Sequence, residues 1–275
     1  MAKFKDKLLA AAAANRSWLC IGLDPDIDKL PAGVEKSCRG AGEFIKSIID
    51  ATKELVCAYK PNAAFYEQFG AEGISLLKDV IAHVPDDIPV ILDAKRGDIG
   101  NTSSKYAAFA FDYLKADAIT VNPYMGHDSL KPFFDYEDRG VFVLCLTSNP
   151  SSADFQRAMV EREDQSLAPL YETVIEKVLS WNQHDNVGLV VGATMPEELG
   201  RIRNLAGEDV PILIPGVGVQ GGDLEASLKM GGNSEGKLAI INAARGVLYA
   251  GSGKDYAEKA ETAARELVGK MKEIF

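Results

Sequence analysis

Eight short apolar segments rich in β-branched residues recur along the chain, and a helix-like stretch follows each of them. This alternation predicts parallel β/α units, because a crossover helix must return the chain to the same edge of the sheet. The predicted strands are Leu19–Leu23, Val56–Tyr59, Val90–Asp93, Ala118–Val121, Val141–Leu146, Val187–Val191, Ile212–Ile214 and Leu238–Asn242. The predicted helices are Ala41–Thr52, Gly70–His83, Ser103–Lys115, Leu130–Tyr136, Leu167–Gln183, Pro196–Ala206, Gly222–Met230 and Asp255–Lys272.

Eight such units in 275 residues favour a closed (β/α)8 TIM barrel over an open doubly wound sheet. The open sheet usually carries a glycine-rich turn after its first strand, whereas this chain has Asp24-Pro25-Asp26 there. No linker rich in Ser, Gly or Pro divides the sequence. We therefore predict an α/β fold, a single-domain TIM barrel over residues 1–275.

The charge balance limits the class of partner. The formal net charge is −10, and repulsion of that sign argues against nucleic acid or an anionic membrane as the main partner. A small anionic ligand is not excluded, because local cations and backbone N–H groups decide whether it binds.

The N-terminal segment and the cysteines predict a cytoplasmic protein. Phe4, Leu8 and Ala11 repeat at helical spacing, and Asp6 lies among them, which favours an amphipathic helix over a signal peptide. No apolar run approaches the roughly 20 residues of a membrane span. The cysteines form no C-x-x-C pair, so we expect buried free thiols and no zinc site. They are Cys20, Cys38, Cys57 and Cys145.

Charged residues concentrate where the third predicted strand ends. Asp93 and Lys95 are two residues apart, so in an extended chain their side chains point to the same side, into the barrel. Asp98 follows, and Lys60 ends the second predicted strand. Because unpaired charges are costly in an interior, we expect these two lysines and two aspartates to neutralise one another. The cluster is either a structural ion-pair network or a catalytic centre.

A second group of residues predicts a phosphate site. The segment Gly216–Gly222 follows the seventh predicted strand and contains four glycines, which allow backbone N–H groups to approach an anion closely. Arg245 follows the eighth predicted strand and offers a forked donor. These two loops are where barrels commonly bind phosphate. The long polar loop Asn149–Gln165 is either a lid or a neutral surface insertion.

Taken together, these segments resemble the orotidine 5′-monophosphate decarboxylase family over essentially the whole chain. The D-x-K-x-x-D-I-x-N-T pattern is the most specific of them. The segments that carry the resemblance are Gly22-Leu23-Asp24-Pro25, Tyr59-Lys60-Pro61-Asn62, Asp93–Thr102, Thr147-Ser148-Asn149-Pro150, Pro215–Gly222 and Ala244-Arg245-Gly246.

The resemblance implies cofactor-free decarboxylation of orotidine 5′-monophosphate to UMP and CO2, with no metal. It implies that Lys95 donates a proton to C6 of the pyrimidine and that Asp93 faces the departing CO2. Lys60 and Asp98 would complete an alternating charge array. In the family, the residues matching Asp98 and Thr102 come from the other subunit of a homodimer, so shared active sites are expected.

The same resemblance implies which residues hold the substrate. Asp24 and Lys60 would hold the ribose hydroxyls, and Ser148 would hold the pyrimidine. Gln220 and Arg245 would bind the 5′-phosphate, with the Gly216–Gly222 loop closing over it.

Two departures from the compact members of the family place the chain in a longer branch. Arg96-Gly97 and Gly100 stand where compact members carry other residues.

Two other functions fit the same fold. Related barrels that use Mg²⁺ to act on sugar phosphates share the D-x-K-x-x-D pattern, but they carry an acidic metal ligand near the end of strand two. Here that position holds Lys60-Pro61-Asn62. A non-catalytic nucleotide-binding barrel is the other reading, although such proteins commonly lose the lysine that matches Lys95.

Overall fold

A computed structural model describes residues 3–162, 164–217 and 222–274 and confirms the predicted barrel. Its strands are β1 Leu19–Gly22, β2 Ala58–Lys60, β3 Ile91–Arg96, β4 Ala118–Val121, β5 Gly140–Leu146, β6 Met159–Glu161, β7 Leu167–Pro169, β8 Val187–Val191, β9 Ile212–Pro215 and β10 Ala239–Ala243. Its helices are α1 Phe4–Asn15, α2 Cys38–Thr52, α3 Ala64–Glu67, α4 Gly70–His83, α5 Gly100–Ala108, α6 His127–Phe134, α7 Leu170–Trp181, α8 Pro196–Ala206, α9 Leu224–Gly231, α10 Arg245–Leu248 and α11 Tyr256–Ile274.

The eight barrel strands are parallel and follow the order β2-β1-β10-β9-β8-β5-β4-β3. Isolated bridges Tyr59–Val90 and Asn62–Asp93 bring β2 against β3, so the barrel is nearly closed. Parallel strands end at the same rim, which therefore collects the residues that follow each strand.

The barrel interior is filled by one side chain from each strand, and α1 covers its N-terminal end. Phe4 and Leu8 of α1 pack against this layer, and Phe4 meets Phe142 edge to face at 5.6 Å between ring centroids. Gly140 leaves the room for this contact, because a Cβ there would lie 2.5 Å from the Phe4 ring. The inner layer consists of Cys20, Ala58, Ile91, Ala118, Phe142, Val190, Leu213 and Ile240.

Four predicted helices start three residues away from the observed ones: α2, α5 and α6 begin earlier, and α7 begins later. The helix expected over Leu167–Gln183 begins only at Leu170, because Leu167–Pro169 pairs with Met159–Glu161 in an antiparallel hairpin. The helix expected over Ser103–Lys115 begins earlier, at Gly100, and widens into a π-helical turn over Phe109–Tyr113.

The predicted N-terminal helix and the predicted buried free thiols are both present. Phe4–Asn15 is helical, and its buried residues include Phe4, Leu8 and Ala11. All four cysteines are free and buried. Among the helices of the described residues, none is long and apolar enough to span a membrane.

Candidate active site

The position two residues beyond each member of the inner layer also faces the barrel axis, because side chains alternate along a strand. At this second layer the composition changes from apolar to partly polar. Apart from Gly22, its members line two adjoining cavities at the rim, of about 640 and 170 Å³. The second layer consists of Gly22, Lys60, Asp93, Thr120, Leu144, Gly192, Pro215 and Asn242.

Two predicted residues of this layer, Lys60 and Asp93, meet a third predicted residue, Lys95. Lys60 Nζ lies 2.7 Å from Asp93 Oδ2, and Lys95 Nζ lies 2.6 Å from Asp93 Oδ1. The side chains of Lys60 and Asp93 are only 5% and 10% exposed, whereas that of Lys95 is 46% exposed. The carboxylate of Asp93 is thus held between a buried and a partly open ammonium group, and Lys95 remains accessible to a bound molecule.

Asp93 and Lys95 meet as predicted, but the predicted cause of their contact is wrong. Extended-strand alternation does not bring them together, because β3 is irregular at this point. The five residues Leu92–Arg96 span the same length of the ladder as the three residues Ile119–Val121, and Lys95 has a φ of 49°. This bulge folds the Lys95 side chain back onto Asp93.

The ion pair keeps both buried groups charged. Burial alone would raise the pKa of Asp93, but the ammonium groups of Lys60 and Lys95 bring it below its ordinary value. Burial alone would lower the pKa of Lys60, but the carboxylates of Asp93 and Asp24 bring it above its ordinary value. Both groups are therefore charged throughout the neutral range.

The lowered pKa of Asp93 predicts a specific acid dependence of stability. Below the ordinary aspartate pKa of about 3.9, the unfolded chain takes up a proton at this residue and the folded chain does not. Stability from this carboxylate is present above that pH and is lost as the pH falls toward the folded-state pKa. Between about pH 3 and 4 we expect the unfolding free energy of the wild type to fall more steeply than that of Asp93→Asn, by about 1 kcal/mol per pH unit. Urea unfolding at several pH values measures both slopes, and parallel curves would contradict the assignment.

The larger cavity is lined by Asp24, Lys60 and Arg245, which sequence analysis placed at the substrate. Asp24 Oδ1 accepts a hydrogen bond from the Asn62 N–H at 3.1 Å. Burial raises the pKa of Asp24, and the nearby Lys60 ammonium offsets this only in part. Arg245 begins α10 and is exposed toward solvent. One end of this cavity is therefore cationic and open.

The smaller cavity is lined by Lys95 and Ser148 together with apolar residues such as Leu144 and Leu213. Gly192 permits the approach of Ser148, because a Cβ at Gly192 would lie 2.8 Å from the Ser148 Cβ. Lys60 and Asp93 line both cavities and so mark their junction. The two cavities together suit a ligand with an anionic end and a flatter, less polar end.

The predicted residue Gln220 lies outside the described residues. On either side of that gap, the Gly222 N–H donates to the carbonyl oxygen of Gly216 at 3.1 Å, and Gly216 has a φ of 100°. Gly216 and Val217 line the larger cavity, as expected for a loop near a phosphate site.

Asp98 and Thr102 do not join the other predicted residues, which corrects the expectation that Asp98 and Asp93 neutralise the two lysines within one chain. In the described part of the chain, the Asp98 carboxylate accepts only from the Ile99 N–H, at 2.8 Å, and forms no ion pair. Thr102 lies exposed in the first turn of α5. The charge cluster of a single chain therefore comprises Lys60, Asp93 and Lys95.

Sequence analysis missed two polar members of the second layer. Thr120 is 1% exposed, and its hydroxyl donates to Asp93 Oδ1 at 2.9 Å. Asn242 is 7% exposed and lines the larger cavity, and its buried Oδ1 accepts no hydrogen bond from any described residue. Counting two residues beyond the inner layer identifies both residues once the barrel register is known.

The long loop is a folded unit rather than an irregular segment. It contains a 3₁₀ helix over Pro150–Asp154 and strand β6, which pairs with β7 just after the loop. Arg162 contacts Glu172 at 3.0 Å, and Arg157 contacts Glu198 at 2.6 Å, which attaches the loop to α7 and α8.

A (β/α)8 barrel with a lysine–aspartate–lysine cluster at the C-terminal rim belongs to the TIM-barrel enzymes, whose sites lie at that rim. Residues 17–260 match the model of the "Orotidine 5'-phosphate decarboxylase / HUMPS family". The chain is 49% identical over 265 residues to an orotidine 5′-phosphate decarboxylase of Dehalococcoides mccartyi strain CBDB1, covering 96% of each chain. The chain belongs to the orotidine 5′-phosphate decarboxylase family.

Solved structures agree with this assignment. The OMP decarboxylase of Leishmania donovani has 45% sequence identity and a TM-score of 0.86, with 99% of this chain and 98% of that chain covered. The Leishmania donovani UMP synthase has 45% identity and a TM-score of 0.88, and this chain spans 57% of its length.

Proposed function

We propose that this chain, acting as one domain over residues 1–275, decarboxylates orotidine 5′-monophosphate to UMP and CO2 in pyrimidine biosynthesis. The observation that carries the proposal is the buried Lys60–Asp93–Lys95 cluster at the junction of two cavities. Membership of the family and the names of relatives covered over 96% of their length support the same reaction.

The cluster provides a physical route to loss of CO2. A substrate carboxylate about 4 Å from the Asp93 carboxylate would be repelled by about 4 kcal/mol at an effective dielectric constant of 20. This repulsion disappears as CO2 departs, so it lowers the barrier selectively. Lys95 then donates a proton from Nζ to the carbanion at C6. Asp93 and the Lys95 ammonium are both needed, one for departure and the other for protonation.

The lining of the two cavities supports a placement for each part of the substrate. We place the 5′-phosphate at Arg245 and Gln220, and the ribose hydroxyls at Asp24 and Lys60. The pyrimidine then occupies the smaller cavity beside Ser148. Binding at the phosphate is remote from the reacting carbon, and closure of the Gly216–Gly222 loop over it would exclude water from the charges.

An assay with orotidine 5′-monophosphate tests the reaction directly. We expect loss of the substrate absorbance and release of one CO2 per UMP, at the same rate with and without EDTA. Loss of turnover on chelation would instead favour the Mg²⁺-dependent relatives. The structure disfavours a Mg²⁺-dependent reaction, because the end of β2 presents the Lys60 ammonium where those relatives carry an acidic metal ligand. Binding of UMP with no turnover would indicate a non-catalytic barrel and contradict the proposal.

We further propose a cytoplasmic homodimer in which Asp98 and Thr102 complete the site of the other subunit. Asp98 has no ion pair in the described part of its own chain, and Ile99 beside it is 58% exposed. Tyr124 and Met125, which follow the neighbouring strand β4, are 80% and 46% exposed. Exposed apolar groups of this kind suit an interface between copies.

Mixing two inactive variants tests the shared site. Lys95→Ala and Asp98→Ala should each be nearly inactive alone. Each site takes Lys95 from one chain and Asp98 from the other. In a dimer that contains one chain of each variant, one site therefore carries both substitutions and the other site carries neither. A statistical 1:1 mixture formed by co-refolding should therefore regain about a quarter of wild-type activity. A mixture that stays at the level of the separate variants would contradict the shared site but would leave the decarboxylase assignment unchanged.

A further inference from the structure

The hydroxyl of Thr120 lies at the centre of three hydrogen bonds to the charged segment of β3. The backbone N–H groups of Ala94 and Lys95 each donate to Thr120 Oγ1 at 3.0 Å. Thr120 Oγ1 in turn donates to Asp93 Oδ1 at 2.9 Å. Thr120 is on β4, so these bonds cross from one strand to the next rather than forming within a loop.

The number of partners fixes the direction of the third bond. A hydroxyl has one proton to donate and two lone pairs that accept. The two N–H groups occupy both lone pairs, so the only hydroxyl proton points to Asp93. Asp93 must then be the acceptor at Oδ1, where it also accepts from Lys95 Nζ. The orientation of the carboxylate is thereby set by a neutral donor as well as by the two ammonium groups.

The same hydroxyl supports the unusual backbone of Lys95. A φ of 49° is uncommon for a residue with a long side chain, and the bulge at this point interrupts the ladder between β3 and β4. Thr120 Oγ1 accepts from two N–H groups in the interrupted stretch. Since partly buried N–H groups without acceptors lose hydrogen-bond energy, this hydroxyl favours the conformation that returns Lys95 to Asp93.

We infer that Thr120 is the positioning residue of this site, acting through Asp93 and Lys95. The inference rests on the proposed function, and it adds a requirement that the charged residues alone do not impose. An apolar side chain of the same shape would fill the same volume but would leave Asp93 without its neutral donor and would leave two N–H groups unpaired.

Three substitutions of Thr120 and one control test this role. Thr120→Val keeps the shape and removes the hydroxyl, Thr120→Ser keeps the hydroxyl, and Thr120→Cys supplies a weaker donor and acceptor. Thr52→Val is the matched control. Thr52 is fully buried and bonds the Ile48 carbonyl and Tyr59 hydroxyl, away from both cavities.

We expect kcat for orotidine 5′-monophosphate to fall about 10- to 100-fold in Thr120→Val, as for loss of a hydrogen bond to a charged group. KM should change by less than about threefold, since the phosphate contacts of Arg245 are untouched. Thr120→Ser should remain within about threefold of the wild type, and Thr120→Cys should lie between the two. Thr52→Val should keep its kcat even if its Tm falls. If Thr120→Val fails to fold, the kcat values of Thr120→Ser and Thr120→Cys test the role of the hydroxyl in its place.

Equal kcat values for wild type, Val and Cys variants would overturn the inference while the decarboxylase assignment stood. A crystal structure of Thr120→Val, or of Thr120→Cys if the valine variant does not fold, gives a readout that does not depend on turnover. We expect Lys95 to leave the positive-φ region and its Nζ to move away from Asp93 in that structure. Unchanged geometry there would also overturn the inference. A wild-type protein with no turnover at all would instead contradict the proposed function.

Discussion

Replacing Lys95 with alanine is expected to lower kcat for orotidine 5′-monophosphate by about 10²- to 10⁴-fold, since a positioned general acid contributes on that scale. The variant loses the proton donor to C6 and one of the two cations that neutralise Asp93. KM should change much less, because Arg245 and Asp24 still line the larger cavity. Steady-state kinetics that separate kcat from KM measure this difference.

Lys237→Ala is the matched control for this experiment. Lys237 is also about half exposed and forms an ion pair, with Glu235 at 2.6 Å, but it precedes β10 at the opposite end of the barrel. Its variant should keep wild-type kcat. A Lys95→Ala protein that turns over as fast as Lys237→Ala would show that Lys95 is only a structural partner of Asp93.

Replacing Arg245 with alanine is expected to lower kcat/KM by about 10²- to 10³-fold, which corresponds to loss of two charge-assisted hydrogen bonds to a phosphate. Arg245 lines the larger cavity but not the smaller one that holds Lys95. The loss would therefore show that binding energy at a remote group is used for catalysis. Comparison with orotidine, which lacks the phosphate, isolates this contribution.

The wild type should prefer orotidine 5′-monophosphate over orotidine strongly, and Arg245→Ala should lose most of that preference. Arg39→Ala provides the control, because Arg39 is exposed on α2 and pairs with Glu43. An Arg245→Ala variant that keeps the full preference would place the phosphate elsewhere in the larger cavity.

Sequence periodicity predicted the barrel well because both faces of its strands are buried. Ala118–Val121 and Val187–Val191 were predicted with their observed limits, since each is a short run made mostly of apolar and β-branched residues that is buried along its whole length. The helix limits were less predictable. The β6–β7 hairpin displaced the start of α7, because strand pairing there depends on a partner segment that periodicity does not reveal.

The site was predicted in its residues but not in its geometry. Asp93 and Lys95 were identified, yet their contact depends on a bulge supported by Thr120 from another strand. A threonine in an apolar run reads as an ordinary strand former, so its role was hidden. Asn242 was hidden for a related reason, since only the barrel register shows that it faces the cavity.

The most direct test of the central claim is a crystal structure of the wild-type protein with UMP bound. We expect Lys95 Nζ to lie roughly 3 Å from C6 of the pyrimidine, within reach of proton transfer, and the Asp93 carboxylate to lie beside the same carbon. A pyrimidine bound elsewhere, or a Lys95 side chain directed to solvent while UMP fills the smaller cavity, would contradict the account.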